Sequence, residues 1–86
     1  YKPLMNHPTL PPPVGITLDT RELPPPEPLV QALEALDDLP QGQSLRLLIA
    51  REPHPLYQSL RASGHVWKTD LQDDYSFQIL IWHPAP

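Results

Sequence analysis

Apolar and polar residues alternate from Val14 to Asp19, with Val14, Ile16 and Leu18 on one side and Gly15, Thr17 and Asp19 on the other. That two-residue period predicts a half-buried strand. From Glu27 the period lengthens. Leu29, Leu33 and Leu36 fall on one stripe, widened by Val30, Ala32 and Leu39, which predicts a helix running to Leu39. Pro26 and Pro28 stand at its start, where a missing N–H does no harm, and Glu27 there suits the helix dipole. Pro40 and Gly42 stop it. Alternation returns from Leu45 to Ala50, with Leu45, Leu47 and Ile49 inward and Arg46 and Leu48 outward. Glu52-Pro53-His54-Pro55 then turns into a second, shorter helix carrying Leu56, Tyr57 and Leu60, with Gly64 just past its end. Two last strands, 65–71 and 75–82, flank Gln72-Asp73-Asp74. Tyr75, Phe77, Ile79 and Ile81 read as the buried set of the last strand.

The order is β-α-β-α-β-β, without an internal repeat. Right-handed crossovers would place both helices on the same side of their strands. The expected architecture is a two-layer α/β sandwich: a four-stranded mixed sheet with two helices on one face. The other face is then bare in a monomer, and alternation assigns it Leu48, Leu80 and Trp82, with Trp67 beside them. Residues 1–13 hold five prolines (Pro3, Pro8, Pro11, Pro12, Pro13) and no apolar period, so they read as an extended or disordered lead-in. The alternative is that Tyr1, Leu4, Met5 and Leu10 dock on the exposed sheet face. Residues 14–83 form the single domain and 84–86 a tail.

Composition narrows the function classes. Eighty-six residues make one small domain with a thin core, burying roughly 60–65% of the unfolded surface. A net charge of −4, with six Lys and Arg scattered and never in a run, argues against nucleic acid and against an anionic membrane surface. No apolar stretch approaches the ~20 residues needed to span a bilayer. Cysteine is absent, which removes disulfides, thiolate metal ligands and cysteine nucleophiles together. That composition suits a reducing compartment, so a cytoplasmic location is expected.

The run Leu18-Asp19-Thr20-Arg21-Glu22-Leu23-Pro24-Pro25-Pro26-Glu27-Pro28-Leu29-Val30 closely resembles the signature of the TusA/SirA-like sulfur carriers. Their pattern is Leu-Asp-x-Arg-Gly-Leu-x-Cys-Pro-x-Pro, and its cysteine holds a persulfide. Leu39-Pro40-Gln41-Gly42-Gln43-Ser44-Leu45 is similar to the family's entry into its second strand, and Glu52-Pro53 to its acidic-Pro turn. The resemblance covers roughly 14–83 and is greatest to an uncharacterised, cysteine-lacking branch with a Glu-Pro-x-Pro-Leu turn, here Glu52 to Leu56. It implies the TusA-like fold. Three departures bear on function. Pro25 stands at the persulfide cysteine's position, which rules out sulfur transfer by the usual route. Glu22 replaces the usual glycine. Some cysteine-free relatives, often found beside hemerythrin-like modules, carry Asp-His where this chain has Ala50 and Arg51, so a metal or haem role implied by them loses its most obvious ligand.

Candidate sites follow from the element order. The strand-to-helix crossing at Arg21 to Pro28 brings free N–H groups to a strand end, a place suited to anions, although the prolines remove several donors. Arg21, Arg51 and His54 are the candidate anion or ligand contacts there. Arg21 has a simpler use, pairing with Asp19, Glu22 or Glu52. His7, His54, His65 and His83 have no metal-binding spacing, so no metal site and no cofactor is expected. A hairpin of the last two strands would nevertheless bring His65 and His83 close together. Asp37-Asp38 and Asp73-Asp74 sit at element ends and point apart, and the serines and glycines form neither a nucleophile elbow nor a phosphate loop. No catalytic constellation is visible, and the chain is expected not to be an enzyme. The expected partner is another protein, or a second copy, on the face carrying Leu48, Trp67, Leu80 and Trp82. The alternatives are a metal or redox-cofactor accessory domain using the histidines, and a sulfur-transfer accessory protein working without its own cysteine.

Overall fold

A computed structural model describes residues 10–84. Its elements are β1 (Val14–Asp19), α1 (Glu27–Asp38), β2 (Ser44–Ile49), α2 (His54–Ala62), β3 (Val66–Leu71) and β4 (Phe77–Trp82). The strands form one sheet in the order β1-β2-β4-β3. β1 runs parallel to β2, while β4 is antiparallel to both β2 and β3. The crossover from β2 through α2 therefore reaches β3 by skipping one place, which β4 fills on its return.

Register and burial show how the layers meet. Leu45 pairs with Ile81, Leu47 with Ile79 and Ile49 with Phe77, so the inward residues of the two central strands form one apolar floor. Ala32 of α1 and Leu56, Tyr57 and Leu60 of α2 join that floor in a single buried cluster, so both helices lie on the same face of the sheet. The expected two-layer sandwich is what the chain forms. Ala32, a residue small enough for close approach, is the centre of the α1 contact. Leu29, Ala35, Leu36 and Leu39 pack beside it, whereas Val30 and Leu33 of the predicted stripe face solvent.

Both helices start in the same way. Pro26 and Pro53 occupy the N-caps, and Pro28 and Pro55 lie in the first turns, where the helix needs no N–H from them. Neither helix has a side-chain cap. α2 ends at Ser63, and Gly64 follows with φ +79, the left-handed geometry that glycine adopts without a Cβ penalty.

Two sequence expectations fail. Tyr75 is exposed and lies before β4, with φ +67, because its N–H closes the turn onto the Gln72 carbonyl. Trp67 is not on the outer face. It pairs with Ile81 and stacks on Tyr57, ring centres 5.0 Å apart and nearly parallel, with the Arg61 guanidinium 5.5 Å from its ring centre. The charged residues of β3, Lys68 and Asp70, alternate with Trp67 and take the outer face, which fixes the tryptophan inward.

The outer face is also less bare than expected. Leu48, Leu80 and Trp82 do point there, but Leu48 and Leu80 are half-buried and Trp82 is only 5% exposed. Arg46 and Gln78 hydrogen-bond across the face at 2.7 Å, and Lys68 lies 3.9 Å from Asp70. Extending the β2–β4 register sets Trp82 opposite Ser44, whose hydroxyl donates to the Pro12 carbonyl at 2.9 Å and whose N–H donates to that of Pro13 at 2.8 Å. The end of the lead-in is thereby pinned to the sheet where Trp82 lies. Leu10 is exposed and does not dock, while Tyr1, Leu4 and Met5 lie outside the described residues.

Candidate functional site

The two parallel strands β1 and β2 end side by side, and each feeds a proline-opened helix. At the first crossing Thr20 is buried, and both its N–H and its hydroxyl donate to the Leu48 carbonyl at 2.8 Å. That double contact ties the crossing to β2. The chain then turns, with the Leu23 N–H on the Thr20 carbonyl, and reaches α1 through the cis Pro25–Pro26 peptide. At the second crossing Ala50, Arg51 and Glu52 lead into Pro53.

Between the two crossings lies a cavity of about 530 Å³. Leu23, Pro25, Pro26, Leu29 and Pro28 form one wall, and Ile49, Ala50, Pro53, Pro55 and Leu56 the other. Thr20, Arg51 and Glu52 are its polar residues. Such a hollow at the carboxyl ends of parallel strands is where open α/β sheets usually take their ligands. The proline rings explain its apolar character, since they replace N–H donors that a crossing of this kind otherwise points inward.

The charged residues near the cavity are not equivalent. Arg21 grips Asp19 through Nε to Oδ1 at 2.9 Å and Nη2 to Oδ2 at 2.7 Å, and also lies 3.6 Å from Asp74. The Arg21 hydrogen bonds hold the Asp19 carboxyl down at about 2, and the same contacts raise the guanidinium's own pKa. Arg21 is thus occupied and does not line the cavity. Arg51 does line it and, among the described residues, has no ion pair.

Glu52 is turned toward α2 by Tyr57, whose hydroxyl donates to it at 3.1 Å. The carboxylate only accepts, so Tyr57 must take its other bond, 2.7 Å long, from the Thr69 hydroxyl. Burial pushes the Tyr57 phenol above its ordinary pKa, and the Thr69 bond opposes that rise. His54 stays at the surface, 3.7 Å from Glu52 and edge-on to the Tyr57 ring, and does not line this cavity. Of the three predicted contacts Arg51 alone lines the cavity, while Arg21 and His54 flank it; Pro25, at the sulfur carriers' cysteine position, is also on its wall. Thr20, Leu23 and the Glu52–Tyr57–Thr69 chain were not singled out from sequence. Thr20 alone had a local signal, a small polar residue where the alternation of β1 stops.

The other end of the sheet brings His65 and His83 together, their ring centres 5.1 Å apart and their planes nearly perpendicular. Burial, and secondarily the charge of His83, push the His65 pKa below its usual value. Among the described residues, no three His, Cys, Asp or Glu side chains gather where they could hold a metal ion. No helix among them is long and apolar enough to cross a membrane.

In comparisons with known proteins, the fold is similar to the crystal structure of a SirA-like protein from Desulfitobacterium hafniense. The TM-score is 0.70 at 20% identity, over 78% of this chain and 95% of that one. No curated protein matches the chain. Residues 17–83 match the family model described as "Uncharacterized conserved protein (DUF2249)". That match takes in both crossings, the whole cavity wall and every strand but the start of β1, and by it the chain belongs to the DUF2249 family.

Proposed function

We propose that the domain is a non-catalytic binding module, and that its ligand lies in the cavity between the two proline-opened crossings. The observation that carries this reading is the character of the lining, apolar on both walls with Arg51 as its only cation. A lining of that kind suits a small molecule, or a segment of a partner protein, with an apolar body and one acidic group. The apolar part displaces water from Leu23, Leu29, Ile49 and Leu56, and the acidic group meets Arg51. Pro25 stands on the wall at the place of the sulfur carriers' cysteine, so the cavity keeps the position of their chemistry without a nucleophile. The Tyr57 bond to Glu52 keeps the one nearby carboxylate engaged, which favours an anion over a cation at Arg51.

Octanoate serves as the probe, with octylamine as its charge-reversed control. Titration followed by amide NMR is expected to shift Ile49, Arg51 and Leu56 with octanoate and far less with octylamine. Arg51→Ala should weaken octanoate about five- to tenfold, in keeping with loss of one charge-assisted hydrogen bond near the surface. Millimolar octanoate that moves none of these amides would overturn the cavity as the site. Sulfane-sulfur turnover from thiosulfate by the purified protein would overturn the non-catalytic reading.

A further inference from the structure

We propose that His65 and His83 form a binding site for a divalent transition-metal ion, held by the Nε2 atoms of both rings at the end of the sheet opposite the proline-lined cavity. The hydrogen bonds around the two rings fix which nitrogen each presents. The Ser63 hydroxyl has one hydrogen, and the carbonyls of Ser59 at 3.0 Å and Leu60 at 3.2 Å accept it. Its 2.7 Å contact with His65 Nδ1 must then be donated by the histidine, which leaves a lone pair on His65 Nε2. His83 Nδ1 faces the Pro84 carbonyl at 3.2 Å, and a carbonyl only accepts, so that nitrogen also carries the proton. Both Nε2 atoms are thus free bases. A neutral imidazole whose other N–H is held by an oxygen is the usual form of a metal-bound histidine.

The separation fits one shared ion. An ion about 2.1 Å from each Nε2 lies about 3.2 Å from each ring centre, so two rings at an angle of about 90–110° have centres about 4.5–5.2 Å apart. The rings here are 5.1 Å apart. Gly64 borders this space, since a Cβ there would be in ordinary contact, 3.7 Å, with His83 Nε2. Both histidines line a hollow of about 330 Å³ together with Gln41 and Gln43. Amide oxygens and water are therefore at hand for the remaining positions. Gln43 owes its place to Gly15, since any side chain there would collide with it. Two imidazoles with neutral oxygen donors favour Cu²⁺, then Ni²⁺ or Zn²⁺, over the hard cations Mg²⁺ and Ca²⁺.

The test uses Cu²⁺ and Zn²⁺ salts alone with the full chain. Titration calorimetry should find one Zn²⁺ per protein, and Cu²⁺ electron paramagnetic resonance should show two imidazole nitrogens. His65→Gln and His83→Gln should each weaken Zn²⁺ at least tenfold, whereas His54→Gln and His7→Gln should leave it unchanged. Ring-proton NMR of the unsubstituted protein gives a readout that depends on no variant folding: Zn²⁺ should shift His65 and His83 together and first. The proposal falls if Zn²⁺ leaves those rings unmoved, if binding follows His54 or His7, or if a single nitrogen coordinates Cu²⁺.

Discussion

On the helix side of the sheet, Leu45, Leu47, Ile79 and Ile81 are fully buried and belong to one continuous cluster with α1 and α2. Across the same backbone, Leu48 and Leu80 are half-buried among Arg46, Gln78, Lys68 and Asp70, and only the end holding Trp82 and Ser44 is sealed. Trp82 lies outside the helix-side cluster, so another layer of contacts covers it. The difference teaches that alternation along a strand assigns a residue to a face without saying what lies on that face. Trp67 and Trp82 make the point in one residue type. Trp67 faces the helices yet remains partly open, stacked on Tyr57 with the Arg61 guanidinium over its ring, while Trp82 faces away from the helices and is nearly closed to solvent.

The largest contrast between the faces should appear at two adjacent residues of β2. Leu47→Ala removes a fully buried side chain from the centre of the cluster and should cost about 3–4 kcal/mol. Leu48→Ala, one residue on and facing the other way, should cost about 1 kcal/mol or less, because its partly wet surroundings lose little apolar area. Urea unfolding of both variants checks the pair. Equal losses would show that the outer face is as tightly packed as the inner one.

Trp82→Ala comes next. Its burial predicts a loss of about 3 kcal/mol, at the lower end for a large aromatic because it sits at one end of the sheet beside polar Ser44. A loss under about 1 kcal/mol would mean its cover is loose and the face is open to a partner. Ser44→Ala sharpens the result, since it removes the hydroxyl's bond to the Pro12 carbonyl while leaving the ladder intact. If the pinned lead-in matters to Trp82, Ser44→Ala should raise the solvent quenching of its fluorescence.

What the sequence revealed follows from the same contrast. β1, β2 and both helix starts were legible because period and proline placement are local: Leu45, Leu47 and Ile49 alternate with Arg46 and Leu48, and a proline beside a helical stripe, such as Pro26 or Pro53, fits the helix start but not its interior. The resemblance around Leu18 to Val30 located the crossing that became the cavity wall. The depth of the cavity was not legible, because it depends on two crossings meeting across β1 and β2, and Arg51 and Leu23 are far apart in the chain. Tyr75 continued the apolar alternation of Phe77, Ile79 and Ile81, but the turn from Gln72 closed before the strand began. For Trp67 the signal was present and outweighed. Lys68 and Asp70 already claimed the outer face of β3.

The smallest expected effect is at the exposed end of β1, where Asp19 is held by Arg21. Its folded-state pKa of about 2 lies below the ordinary carboxylate value, chiefly through the Arg21 side-chain hydrogen bonds. Asp74 is lowered as well, mainly by the Ser76 side chain and backbone N–H. A carboxylate that is more acidic when folded contributes stability that is full above the unfolded pKa, near 4, and fades as pH falls toward about 2. Acid titration should therefore steepen the loss of stability between those values, and Asp19→Asn should flatten that slope and lower stability at neutral pH by the same amount, a small one because the pair is exposed. Carboxyl NMR on the native protein checks the origin directly. An Asp19 midpoint near 4 would mean that Arg21 is not held, and Arg21 would then join Arg51 as a free cation at the proline end of the sheet.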